Sequence, residues 1–200
     1  AAARNQARGF MDLALFEVGP AFSGGEPGDQ HLQATGLLVG AAAARDPHGS
    51  RRMIDVFDAK ADAEAVLAAL GAPSRAQISR KVAGWWHPGR SGAIGLGPNT
   101  MASFGEVHPR ILHAMDVKGP AVAFTVLVAN VPAPKVKTPT RPALAISDLQ
   151  AVDRDFAFVV DARVEALTAV NAAQGADKAL IETVRVFDQF TGDKAEAQMG

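Results

Sequence analysis

The feature that most constrains this chain is a proline-rich stretch at Val131–Thr140, with prolines at positions 132, 134 and 139 and another at 142. Proline has no backbone N–H and a fixed φ, and it restricts the residue before it, so neither a regular helix nor an inner strand can continue through such a segment. We therefore predict an extended linker between two modules, with boundaries at residues 1–130, 131–146 and 147–200.

The first module has the pattern of strands in hairpin-like succession with one long helix. Asp55 is placed to cap that helix, which should end at Gly71, and Pro109 should open a short helix to about Met115. This order favours an antiparallel sheet with helices to one side over a doubly wound parallel sheet. The expected strands are Asp12–Phe22, Leu32–Ala42, Gln77–Val82, Gly92–Leu96, Thr100–Val107 and Ala121–Asn130.

The second module predicts a β-α-β order. We expect a strand at Ala151–Asp161, a helix at Val164–Gln174 stopped by Gly175, and a second strand at Glu182–Phe190. This is the first half of a ferredoxin-like β-α-β-β-α-β unit. The chain also begins without Met and in a helix-like segment, so we expect it to be a piece of a longer protein.

Composition narrows the classes of function. The net charge is −1, so any contact with nucleic acid must come from a local patch rather than from the whole surface. The absence of cysteine excludes disulfides, zinc knuckles and thiol nucleophiles, and fits a reducing compartment. No apolar run approaches the roughly 20 residues that span a bilayer, so we expect no membrane partner.

Four stretches occur in a meaningful order. The first two are His87–Ser91 (HPGRS) and Phe104–Pro109 (FGEVHP). The others are Arg154–Val160 (RDFAFVV) and Val186–Phe190 (VFDQF), beyond the proline-rich segment. Together they resemble the carboxy-terminal region of the phenylalanine–tRNA ligase beta-subunit family, over nearly the whole chain.

The resemblance implies an α+β architecture. Its first part would be a class II synthetase-like antiparallel sheet without catalytic residues, and its second part an incomplete ferredoxin-like anticodon-binding domain. It further implies an α2β2 cytoplasmic enzyme that uses ATP and Mg²⁺ to join phenylalanine to tRNA(Phe). Neither cofactor, no metal site and no catalytic residue is expected in this chain, whose role would be to scaffold the catalytic alpha subunit and position tRNA.

Two sets of residues are candidates for contacts with these partners. The basic side chains around the proline-rich segment are candidates for tRNA contact: Lys135, Lys137, Arg141 and Arg154. A cluster in the first module is a candidate for the alpha-subunit interface, since Trp and Arg are enriched at interfaces: Trp85, Trp86, His87 and Arg90.

The histidines and carboxylates have plainer interpretations. His87 and His108 are each followed by proline, which favours a loop or cap over a metal-ligand cage. Glu106 with Asp116, or Asp153 with Asp155, could form carboxylate pairs, although a solvated strand edge is the simpler interpretation of the second pair.

Two other functions stay open. The glycine-framed turn Gly89–Gly92 could hold an anion in a free-standing enzyme of the biotin or lipoate ligase type. A ferredoxin-like half could instead belong to a small-molecule regulatory module. The first needs a self-contained adenylate site, and the second needs the other half of the fold.

Overall fold

The computed structural model describes residues 1–43, 46–49, 51–133, 140, 143–144 and 146–190. Up to residue 130, the described chain forms one antiparallel sheet with three α-helices. The strands are β1 (Leu13–Phe22), β2 (Gln30–Val39), β3 (Gln77–Ser79), β4 (Trp86–Leu96), β5 (Asn99–Val107) and β6 (Ala121–Leu127). The helices are α1 (Ala2–Ala7), α2 (Val56–Ala69) and α3 (Pro109–Ala114), with 3-10 turns at Pro27–Asp29 and Val128–Asn130. The strand order is β1-β2-β6-β5-β4-β3.

The helix signals in the sequence work as predicted. The carboxylate of Asp55 accepts hydrogen bonds from the backbone N–H groups of Phe57 (2.8 Å) and Asp58 (3.3 Å). The Asp58 side chain in turn accepts from the Asp55 N–H at 2.8 Å, which completes a capping box for α2. Just past the end of α2, Gly71 has a φ of +73°, a conformation that glycine adopts without strain.

Several strand boundaries differ from the prediction, and β6 also ends three residues early, at Leu127. β4 begins at Trp86 rather than Gly92. A register shift between Trp86 and Ser91 lets the strand continue through the turn-like residues between them. β2 ends at Val39, since Gly40 leaves the extended region with a φ of +87°. β3 is confined to Gln77–Ser79 and forms one edge of the sheet.

Both faces of the sheet carry helices, so the prediction of helices to one side is wrong. On one face, α2 packs against β2, β5 and β6 over a core that includes Phe104 and Phe124. On the other face, Leu112 of α3 joins Val39 and Ala121 in a separate cluster. The physical reason is the near-continuous apolar sequence of β2 and β6, which offers buried residues to both sides.

Two glycines on the α2 face make room for aromatic rings. A Cβ at Gly36 would overlap the ring of Phe124, and a Cβ at Gly92 would lie 2.9 Å from Cζ of Phe104. Gly36 pairs with Phe124, and Gly92 pairs with Phe104, across neighbouring strands. The rings thus fill the space that a side chain would occupy, which ties the packing of this face to the register of four strands.

The chain divides into two units, residues 1–141 and 142–200. The described residues of the second unit form helix α4 (Ala166–Ala176), and the segments predicted as strands, 151–161 and 182–190, contain no strand. A strand requires a hydrogen-bonded neighbour, which neither segment has within the described part of this unit. Gly175 lies inside α4 rather than after it, because the helix continues to Ala176 and the backbone leaves the helical conformation only at Asp177.

Candidate functional site

The candidate interface cluster lies where β4 enters the sheet. Trp86 is the first residue of β4 and pairs directly with Val107 of β5. Its side chain is 4% exposed, whereas that of Trp85, one residue earlier, is 57% exposed. The backbone carbonyl of Trp85 accepts a hydrogen bond from the His108 N–H at 2.9 Å, which ties this corner to the start of α3. The two tryptophans therefore differ in environment: Trp86 is packed inside the unit, and Trp85 lies at its surface.

His87 and His108 make matching local hydrogen bonds. Nδ1 of His87 accepts from the Gly89 N–H at 3.1 Å, and Nδ1 of His108 accepts from the Arg110 N–H at 3.2 Å. The second bond caps α3, so the predicted cap at a His-Pro step is confirmed for His108. A cluster of three or more His, Cys, Asp or Glu side chains that could hold a metal is not found in the part of the chain that the structure describes.

Arg90 and Glu106 form a two-pronged ion pair across β4 and β5. Nη2 of Arg90 donates to Oε1 of Glu106 at 2.9 Å, and Nε donates to Oε2. The hydrogen bonds from Arg90 lower the pKa of Glu106, and the same bonds raise the pKa of Arg90. Sequence reasoning had considered Glu106 as a partner of Asp116 in a carboxylate pair, but the structure pairs it with Arg90 instead.

Gly105 explains how this ion pair forms. Its φ is +150°, and a Cβ there would lie 2.6 Å from Cα of Ser91 and 2.7 Å from the carbonyl oxygen of Arg90. Only glycine lets the irregular start of β4 come this close to β5, which brings Arg90 over Glu106. Gly105 in the FGEVHP stretch is thus a sequence signal for a close approach of two strands, although it does not identify Arg90 as the partner of Glu106.

An open groove of about 320 Å³ lies beside the cluster. Its lining includes Arg80, Trp86 and His108, together with Val82, Ala83, Gly84 and Pro88. Arg80 is a residue that the sequence analysis missed, because it lies in no motif. The signal that could have found it is charge: from Gly71 to Met115 there are five Lys or Arg residues and one acid, Glu106.

The candidates for tRNA contact are only partly placed. Lys135, Lys137 and Arg141 lie outside the described residues. Arg154 is exposed, and its Nη1 donates to the neighbouring Asp153 carbonyl at 3.0 Å, a local contact that leaves the guanidinium at the surface. The helices formed by the described residues include none that is long and apolar enough to cross a membrane.

Comparison with known families covers both units. The family model "Phenylalanyl tRNA synthetase beta chain CLM domain" matches residues 1–127. The family model "Ferredoxin-fold anticodon binding domain" matches residues 147–199.

Individual proteins agree with the family models. The phenylalanine–tRNA ligase beta subunit of Cereibacter sphaeroides is 82% identical over 200 residues, which cover 100% of this chain and 25% of that protein. The beta subunit of Ruegeria pomeroyi is 67% identical over 193 residues, 96% of this chain and 24% of that protein. The chain thus spans about a quarter of the length of these relatives. A solved pyrrolysyl-tRNA synthetase from Desulfitobacterium hafniense overlays with a TM-score of 0.43 at 14% identity, covering 62% of this chain and 42% of that one.

Proposed function

The chain belongs to the phenylalanyl-tRNA synthetase beta chain family, and from that membership we propose that it is a non-catalytic part of a phenylalanine–tRNA ligase. In this role it scaffolds a catalytic alpha subunit and positions tRNA(Phe) for aminoacylation. The observation that carries the proposal is the succession of a beta-chain family match and an anticodon-binding family match in one chain. Neither match points to a biotin or lipoate ligase or to a regulatory module.

The proposal assigns a task to each part of the chain. Residues 1–130 are a class II synthetase-like scaffold, 131–146 a linker, and 147–200 the first half of an anticodon-binding domain. The segments on either side of α4 support the last point, because they contain no strand and expose apolar side chains that pairing with further strands of the longer protein would cover. No catalytic residue is assigned to this chain. ATP and Mg²⁺ bind to the alpha subunit of an α2β2 cytoplasmic enzyme.

The alpha subunit is proposed to contact the cluster at the start of β4. Trp85 supplies an exposed aromatic side chain, and His87 and Arg90 supply polar groups beside it. Trp86 has an indirect role in this interface, because its buried indole packs in the core and stabilises the start of the strand that carries these residues. Glu106 already holds the Arg90 side chain in one position. Binding of a partner to Arg90 therefore costs less side-chain conformational entropy.

The tRNA is proposed to contact the basic residues near the linker and in the second unit. Arg154 is an exposed cation, and Lys135, Lys137 and Arg141 add three positive charges within seven positions. Charges of this kind neutralise backbone phosphates without reading sequence.

The test uses the full-length beta subunit with its alpha subunit. Replacing Trp85 with Ala should weaken assembly by about 2 kcal/mol or more, since exposed aromatic residues at an interface are frequent hot spots. Phe22→Ala is the matched control, because Phe22 is an aromatic residue of similar exposure at the end of β1. Alpha-subunit affinity is measured by sedimentation. Equal affinity in the two variants would contradict the interface, and pyrophosphate exchange by this chain alone would contradict its non-catalytic role.

A further inference from the structure

The sequence segment that supplies the groove's lining has an excess of positive charge. Between Gly71 and Met115 the sequence has five Lys or Arg residues against one acid, a local excess of +4 in a chain whose net charge is −1. The single acid, Glu106, is already bound to Arg90. Lys81 and Arg110 are exposed: Lys81 follows Arg80 of the groove lining, and Arg110 is two residues from His108. These two cations are called the basic rim below.

Trp86 offers a hydrogen-bond donor to this groove. Its side chain is 4% exposed, and the described residues provide no partner for its indole N–H. Buried tryptophan N–H groups usually find a partner. Within the described chain, no side-chain nitrogen or oxygen is both fully buried and unpaired, so the indole nitrogen must reach a surface. The surface that Trp86 lines is the groove.

His108 offers a second donor. Its Nδ1 accepts the Arg110 N–H, so the proton of the neutral ring lies on Nε2, which is then a donor. The polar side chains in the described lining are those of Arg80, Trp86 and His108, and no carboxylate is among them. A groove lined by donors within a positive field has the chemistry of an anion site.

We propose that this groove binds a backbone phosphate of RNA. The basic rim favours a polyanion over a free nucleotide. Its positive charges lie beyond the groove, where the neighbouring phosphates of an RNA strand could pair with them and a small ligand in the groove could not. The groove lies on the opposite sheet face from the Arg90–Glu106 pair: Trp86 pairs with Val107, and Val107 and Glu106 are consecutive residues of β5. One chain can therefore contact an alpha subunit and an RNA strand at once. The inference rests on the proposed function, since it adds a contact to the same tRNA.

The experiment measures tRNA(Phe) binding by the full-length beta subunit assembled with its alpha subunit, across a series of salt concentrations. The double variant Lys81→Gln/Arg110→Gln should bind about tenfold more weakly at 0.1 M salt and lower the salt slope by about 2. The matched control is Arg4→Gln/Arg8→Gln, which removes two exposed charges from the region of α1. Trp86→Phe keeps the ring and removes the N–H, so it should weaken binding about fivefold with an unchanged slope.

The outcomes separate this inference from the function on which it rests. A wild-type assembly that does not bind tRNA would refute the proposed function itself. If the wild-type assembly binds and the double variant matches its control in affinity and slope, the groove does not bind RNA. Loss of alpha-subunit assembly with unchanged tRNA affinity would make the groove a protein contact and overturn the inference. Direct AMP binding that the double variant abolishes, with an unchanged tRNA slope, would make it a mononucleotide site and also overturn it.

Discussion

The two units contain similar sequence and different structure. AVAFTVL in β6 and DFAFVVD near residue 158 both have the composition of a buried strand. Phe124 in the first segment is 7% exposed and lies between two neighbouring strands, whereas Phe158 in the second is 70% exposed. Its closest aromatic contact is local, a stack on Phe156 with ring centroids 6.3 Å apart. The comparison indicates that an apolar strand pattern enables a segment to pair, and that the presence of a neighbouring strand decides whether a β-strand forms.

The ion pairs of the two units show the same contrast. In the first unit, Arg51 binds Asp12 at 2.6 Å across 39 positions, and Arg90 binds Glu106 across 16. In the second unit, Arg163 binds Asp161 at 2.8 Å from only two positions away, which lowers the pKa of Asp161 to about 2 through the hydrogen bonds from Arg163. A pair so close in sequence can form in an unfolded chain too, so it reports little about tertiary structure.

The largest expected difference between the units is in amide hydrogen exchange. Strand β6 (Ala121–Leu127) lies between β2 and β5 in the middle of the sheet. Its hydrogen-bonded amides should therefore exchange only when the unit unfolds. The amides of residues 151–161 have no ladder to break. We expect the protection of the two segments to differ by a ratio on the order of 10⁴, the factor that corresponds to about 5 kcal/mol of unit stability.

The measurement is made by mass spectrometry or NMR on the 200-residue chain. Equal, strong protection on both sides of the proline-rich segment would show that the second unit folds independently. The half-domain interpretation would then be wrong. The same measurement on the longer beta subunit extends the comparison. If residues 151–161 and 182–190 gain protection only there, these segments pair with residues outside the 200-residue chain.

A pair of phenylalanine variants tests the same contrast by stability. Phe124→Ala should lower the free energy of unfolding of the first unit by about 3–5 kcal/mol, since it opens a cavity over Gly36 in the core. Phe158→Ala removes the same atoms from an exposed position and should change stability by less than about 0.5 kcal/mol. Urea unfolding followed by circular dichroism measures both.

A milder variant keeps the test measurable if Phe124→Ala does not fold. Phe124→Leu should lose about 1 kcal/mol, because leucine fills most of the space over Gly36. Losses of similar size for Phe124→Leu and Phe158→Leu would contradict the assignment of one ring to a packed core and the other to the surface.

Sequence reasoning succeeded where the signal is local. Asp55 and Pro109 predict helix starts through short-range capping chemistry, and the strand succession predicts an antiparallel sheet. It failed where the outcome depends on a distant neighbour. Nothing near Glu106 in the sequence identifies Arg90 as its partner, and nothing in residues 151–161 shows whether another strand is at hand. The four ordered motifs carried the family assignment across both kinds of region.

The smallest expected effect is the pH dependence that Glu106 gives to the first unit. The hydrogen bonds from Arg90 hold its pKa in the folded chain below the ordinary glutamate value of about 4.3. A lowered folded pKa means that the ion pair stabilises the fold above the unfolded pKa, and that this contribution is lost as pH falls through the folded pKa.

Glu106→Gln should therefore destabilise the unit at pH 7, and the difference from wild type should shrink as pH falls below about 4.3. The loss at pH 7 is smaller than that of Phe124→Ala, because Arg90 is half exposed and water screens the pair. Glu64→Gln, in the exposed Lys60–Glu64 pair of α2, corrects for the removal of one negative charge. Thermal unfolding is followed at pH 7, 5, 4 and 3. A difference that stays constant over this range would mean that the carboxylate charge of Glu106 contributes nothing, and that its contact with Arg90 stabilises β4 through neutral packing alone.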